Sequence, residues 1–115
     1  MGKIKTVLVA NDQAAMTAID YDTERPDQII KLELTADELD YLFTSGLVDE
    51  INEVCEAMID DFEDDMITSH PKLRAGLTTL ESYQNRNTRY SAFVGNLINL
   101  FKEALARDTA IYFYF

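Results

Sequence analysis

From Leu32 to Pro71 the chain holds neither lysine nor arginine, yet residues 33 to 65 carry thirteen carboxylates. No basic side chain within this stretch can neutralise them. Its acids therefore need a solvated face, and its apolar residues must define the opposite, buried one. Residues 1–71 hold 18 acids and 4 bases, whereas residues 72–115 hold 3 acids and 6 bases, within a chain of net charge −11. A one-signed block of this length steers encounters toward cations and basic proteins, and away from bare nucleic acid and anionic membrane.

A chain of 115 residues is expected to form a single domain, here spanning 1–115. Its apolar fraction of 47% excludes a disordered acidic tail. No apolar run approaches the ~20 residues that span a bilayer. The start Met1-Gly2-Lys3-Ile4-Lys5-Thr6 lacks the features of a signal peptide. It does fit the short myristoylation pattern, which matches often by chance. A lone cysteine cannot form an internal disulfide, which points to a reducing, cytoplasmic setting.

Lys3 to Ala10 reads as a strand rich in Ile, Val and Leu, closed by the turn signal Asn11-Asp12-Gln13. Ala14 to Tyr21 is expected to return as a second strand with Thr17, Ile19 and Tyr21 on one face. After a loop containing Pro26, Gln28 to Leu34 alternates, with Ile30, Leu32 and Leu34 opposed to Lys31 and Glu33. Thr35 and Glu38 form a capping box for a helix that Gly46 ends. Leu47 to about Met66 then reads as one long amphipathic helix. Leu47, Val48, Ile51, Val54, Cys55, Met58, Ile59 and Phe62 make its apolar stripe, with Asp49, Glu53, Glu56, Asp60 and Asp64 opposite. Asp65 falls toward the apolar side, so this helix should fray there.

Pro71 suits the first turn of a helix carrying Leu73, Leu77 and Leu80. The polar run Gln84–Thr88 separates it from a strong amphipathic helix, from Tyr90 to about Arg107. Thr109 to Phe115 reads as a strand apolar on both faces, suited to a central position or to pairing with a second chain. The order β-β-β-α-α-α-α-β predicts an α+β fold. In it a mostly antiparallel sheet of 3–4 strands, the N-terminal ones plus the C-terminal one, is packed on one face by 3–4 helices.

The inventory for catalysis is thin. His70, the only histidine, sits in Ser69-His70-Pro71 and reads as a surface or capping residue. Cys55 lies on the apolar stripe beside Glu56, where burial and nearby carboxylates disfavour the thiolate. The run Asp60–Asp65 lacks the alternate acids and central glycine of an EF-hand loop. One histidine cannot furnish the Glu-x-x-His pairs of a di-iron site. There is no phosphate-binding glycine loop and no Ser/His/Asp constellation. The sequence therefore predicts no catalytic residue, no cofactor and no metal site.

What remains is the acidic segment. As a helix of twenty residues it would span about 30 Å and carry nine carboxylates. That is about one per 3.3 Å, against one phosphate per ~3.4 Å along a strand of B-DNA. Seven like-charge neighbours in it would cost roughly 0.2–0.5 kcal/mol each. They are Asp49–Glu53, Glu50–Glu53, Glu53–Glu56, Glu56–Asp60, Asp60–Glu63, Asp60–Asp64 and Asp61–Asp65. Such a cost points to a use for the acids. Salt adaptation, internal pairing with Lys72, Arg74, Arg86 and Arg89, or solubility alone would also account for them.

The size, acidity and missing catalytic groups resemble small inhibitor or immunity proteins of phages and mobile elements, a likeness of class alone. The sequence-based expectation is a non-catalytic protein that occupies a basic, nucleic-acid-binding surface of a partner by phosphate mimicry, without binding nucleic acid or membrane itself. Anti-CRISPR, anti-restriction and nuclease-immunity proteins are examples. The expected partner-binding residues are Asp49, Glu50, Glu53, Glu56, Asp60, Asp61, Glu63 and Asp64. The alternative is a structural or regulatory accessory subunit that forms a homodimer, or joins another chain, through the aromatic C-terminal strand. In that case the acids only solubilise.

Overall fold

The computed structural model describes residues 5–60, 63–86 and 89–115. Expectations that fall on Met1–Ile4, Asp61, Phe62, Asn87 and Thr88, among them the myristoylation pattern and Asp61 as a binding residue, lie outside the described residues.

Strand β1 (Thr6–Ala10) is followed by α1 (Gln13–Asp20), not by the expected second strand. The supposed turn signal is a helix cap: Asp12 Oδ1 accepts the Ala15 N–H at 2.8 Å. Ala15 and Ile19 are buried at a spacing of four, and Tyr21, expected to share a strand face with Thr17 and Ile19, is 75% exposed. Alanine at 14, 15 and 18 favours the helix, which outweighs the apparent period of two.

A 3-10 turn at Pro26–Gln28 leads into β2 (Ile29–Glu33). Then α2 (Ala36–Thr44) begins with the expected capping box, Thr35 Oγ1 accepting the Glu38 N–H at 3.1 Å and Glu38 Oε1 accepting the Thr35 N–H at 2.9 Å. Gly46, at φ 84°, ends α2 and opens α3 (Leu47–Cys55). Strand β3 (Asp64–Ile67), α4 (His70–Arg86), α5 (Ser91–Arg107) and β4 (Ile111–Tyr114) complete the order.

The four strands form one antiparallel sheet, ordered β2-β1-β4-β3. The fold is α+β as expected, with five helices among the described residues. β4 is central: Thr6 to Val9 of β1 pair with Tyr114 to Ile111 on one side, and Asp64 to Ile67 of β3 pair with the same four residues on the other. Both backbone edges of β4 are therefore occupied within the chain, and a second copy finds no free edge there. The edge strands are β2 and β3.

Alternation divides the side chains of the sheet between two cores. Val7, Val9, Ile67, Ile111 and Phe113 face α2–α5 and join Leu42, Leu47, Ile51, Leu73, Leu97 and Phe101 in the main core. Leu8, Ala10 and Tyr112 face the other way and pack with Ala15 and Ile19 of α1, so one helix covers part of the second face. Phe115, just beyond β4, is buried against Phe113 and Phe43, with ring centroids at 5.8 and 6.0 Å.

In the helical layer, Gly76 of α4 is buried where α3, α4 and α5 meet. A Cβ there would lie 2.5 Å from Phe101 Cε2 and 2.9 Å from Cys55 Sγ. Gly76→Ala should destabilise the protein, because overpacking costs ~1–3 kcal/mol against a helix-propensity gain of at most ~1 kcal/mol. Chemical denaturation of the two proteins measures the difference. Deletion of residues 111–115 removes the strand that joins β1 to β3. It should abolish cooperative unfolding in a thermal melt followed by near-UV circular dichroism.

Candidate partner-binding surface

The long acidic helix does not form. α3 ends at Cys55, and Glu56 turns into the left-handed region at φ 52°. Asn52 fixes the turn through its side chain, which accepts the Ile59 N–H at 2.8 Å and donates to the Ile59 carbonyl at 2.9 Å. The chain then runs to β3, whose Asp65 accepts the Met58 N–H at 2.7 Å. So Asp65, which falls on the core side of the sheet, ties an edge strand to the loop before it and does not fray a helix.

Electrostatics give one reason for the break. Of the seven like-charge neighbours, only Asp49–Glu53 and Glu50–Glu53 keep their helical spacing within α3. Glu53–Glu56, Glu56–Asp60, Asp60–Glu63 and Asp60–Asp64 no longer lie within one helix, because α3 ends at Cys55 and β3 begins at Asp64. The apolar stripe also changes. Leu47, Val48, Ile51, Cys55 and Ile59 are buried, but Val54 is exposed and Met58 is 78% exposed.

The candidate residues are therefore redistributed. Asp49 of α3, Asp60 of the loop and Glu63 before β3 line one groove of about 440 Å³, together with Phe43, Ala57 and the exposed Met58. Among the described residues, no lysine or arginine lines it. Glu50 turns toward α4 and pairs with Arg86 at 3.2 Å, and Glu56 lies 3.8 Å from Lys72. Internal pairing was one of the readings left open by the sequence, and it accounts for these two acids. Both pairs are exposed and contribute little to stability. Glu53 projects from α3 into solvent. Asp64 points to the second face of the sheet, where its row holds Tyr114, Thr6 and Glu33. The expected single face of Asp49, Glu53, Glu56, Asp60 and Asp64 is thus replaced by two surfaces meeting at β3.

A further acidic set was not foreseen. Asp20, Asp22 and Glu24, around the end of α1, lie close enough to Tyr112 or Tyr114 to act on their hydroxyls. Burial first, then Tyr112, Glu24, Asp64 and Asp22, push Tyr114 up to about 12. Burial first, then Asp20, push Tyr112 up. These acids are about ninety residues from the tyrosines, so no local pattern could have joined them.

The remaining reactive groups are engaged structurally. Cys55 is buried, its thiol donates to the Lys72 carbonyl at 3.2 Å, and burial pushes it up to about 11, so the thiolate is scarce at neutral pH. His70 Nε2 lies 2.8 Å from Asp108 Oδ1 and ties the start of α4 to the end of α5. Among the described residues, no three His, Cys, Asp or Glu side chains are grouped so as to hold a metal ion. No described helix is long and apolar enough to cross a membrane.

No family model matches the chain, and no curated protein matches it. A solved structure does. The Neisseria DNA mimic protein DMP12 superposes with a TM-score of 0.60, covering 98% of this chain and 100% of that one at 17% identity. At that identity the two proteins share a fold.

The groove depends on the Asn52 side chain. Asn52→Ala removes both hydrogen bonds and leaves polar groups of Ile59 without partners, at a cost of ~1–3 kcal/mol. Hydrogen exchange should show faster exchange at Ile59 and Met58 than at the centre of α5.

Proposed function

We propose that this chain is a non-catalytic binding protein that occupies the nucleic-acid-binding surface of a basic partner protein, presenting carboxylates where that partner receives phosphates. The observation that carries the reading is the groove beside α3, where Asp49, Asp60 and Glu63 converge with no base among the described residues of its walls. Carboxylates so placed accept charge-assisted hydrogen bonds from arginine and lysine. The exposed Met58 and the half-buried Phe43 add apolar contact between them. The net charge of −11 repels nucleic acid and speeds encounter with a cationic surface. The fold supports the same reading, since the Neisseria protein that shares it is named as a DNA mimic. Nothing in the fold favours the anti-CRISPR, anti-restriction or nuclease-immunity classes, and the proposal does not extend to them. A cytoplasmic setting, where DNA-binding proteins are found, fits the single free thiol. With both edges of β4 taken, the accessory-subunit reading loses its expected contact.

The test is competition. A DNA-binding protein captured from source lysate at low salt and purified should bind either this protein or duplex DNA, not both. Its complex should weaken steeply with salt, because exposed charges are screened beyond about 8 Å at physiological ionic strength. Replacing Asp49, Glu53 and Glu63 together by lysine should reduce affinity on the order of tenfold or more at low salt, or ~1.4 kcal/mol, and flatten the salt slope. The fold should persist, as all three side chains are exposed. Simultaneous binding of DNA, or equal affinities and slopes for wild type and variant, would reduce these acids to a solvated face.

A further inference from the structure

The two edge strands of the sheet are finished differently. On β3, the Phe115 N–H donates to the Glu63 carbonyl at 3.3 Å, so the main-chain groups of Asp64 and Met66 turn outward. The Met66 N–H is then taken by Asp65 Oδ1 at 2.8 Å, while Asp65 Oδ2 holds the Met58 N–H at 2.7 Å. A carboxylate used in this way blunts an edge. On β2, the Asn11 N–H donates to the Gln28 carbonyl and the Leu34 N–H to the Lys5 carbonyl, both at 2.9 Å. In the register that pairs Val9 with Ile30 and Val7 with Leu32, this alternation turns the main-chain groups of Ile29, Lys31 and Glu33 outward. Among the described residues, no hydrogen bond meets them on that side. Ile30 and Leu32 beside them are only half-buried.

We propose that two copies of this chain pair through β2, edge to edge and antiparallel, about Leu32. Lys31 then stands opposite Glu33 of the second copy, and Glu33 opposite its Lys31, each in a hydrogen-bonded pair. On the main-core side Leu32 meets Leu32 of the second copy, and Ile30 lies opposite its Leu34. Within one chain Lys31 Nζ pairs with Glu33 Oε1 at 3.0 Å, but both side chains are half-exposed, where such a pair contributes little. Across the contact each gains an opposite charge directly facing it. Charge also selects the register, because pairing about Lys31 would set two lysines face to face. β2 is moreover a place where two acidic chains can approach. Residues 24–33 hold Arg25 and Lys31 against Glu24, Asp27 and Glu33, so this edge is close to neutral in a chain of net charge −11. In the eight-stranded sheet that results, the two β3 strands stand seven strand spacings apart, roughly 30–35 Å. The dimer would present its two acidic grooves at about the ~34–36 Å between half-sites of dimeric DNA-binding proteins. That consequence rests on the proposed function; the pairing does not.

Sedimentation equilibrium over a concentration series reaching the millimolar range reads the pairing, and charge exchange reads its register. The wild type should pass from monomer to dimer. Lys31→Glu and Glu33→Lys should each weaken the dimer roughly tenfold or more, because each sets like charges opposite one another at both symmetric positions. The two single variants mixed in equal amounts should pair with each other, and the double exchange Lys31→Glu with Glu33→Lys should dimerise like the wild type. Glu33→Lys separates this from general repulsion, since it brings the net charge from −11 to −9, which by itself favours association. Both side chains are exposed, so melting temperatures of the monomers should be unchanged. A wild type that stays monomeric, a dimer indifferent to Glu33→Lys, or single variants that do not pair with each other would overturn the proposal. A dimer that forms while DNA competition fails would sink the DNA-mimic reading alone. Intact competition by a protein that stays monomeric would sink this one alone.

Discussion

The placement of β4 between β1 and β3 is the constraint on which the rest of the structure depends. Among the described strands β3 pairs with β4 alone, so Asp64–Ile67 are positioned by the C-terminal strand. Ile111 and Phe113 enter the main core and Tyr112 the smaller one, so a single strand supplies large side chains to both. Full burial of such a side chain is worth roughly 1.5–3 kcal/mol. The fold therefore closes late in the sequence, through contacts that link residues about a hundred positions apart.

Charge is the second constraint. A continuous helix through the acidic segment would have stacked like charges along one face and left acids at its C-terminal end. The chain instead stops α3 after nine residues, lets the Asn52 side chain take over the backbone groups of Ile59, and joins β3 to the sheet. Part of the repulsion is relieved by distance. Lys72 approaches Glu56 and Arg86 approaches Glu50 at the surface, where such pairs contribute little.

Edge strand β3 divides that charge in two. Glu63, just before it, lines the groove beside α3, and Asp64, its first residue, lies on the other face with Tyr112 and Tyr114. Neighbouring residues of a strand point to opposite faces, so two adjacent carboxylates serve two different surfaces.

Elements governed by local pattern were legible in the sequence. The Thr35–Glu38 capping box, the left-handed Gly46, the alternation of Ile30 and Leu32 against Lys31 and Glu33, and the amphipathic run from Phe93 to Ala104 are all specified by residues within a few positions of one another. The two apolar faces of Thr109 to Phe115 marked a strand suited to a central place or to pairing with another chain, and β4 takes the central place. The acid-rich composition marked the segment in which Asp49, Asp60 and Glu63 meet. The tertiary structure decided the rest. Asp64–Ile67, with two aspartates, has little strand preference of its own, and becomes a strand because β4 offers it a ladder. The helical period from Leu47 continues past Cys55, and only the Asn52 clamp and the edge of the sheet interrupt it. Asp20 and Tyr112 become neighbours because β1 pairs with β4 and α1 packs over the second face of the sheet. Periodicity reports which face of an element is apolar, whereas the meeting of distant carboxylates depends on register and on where the chain turns.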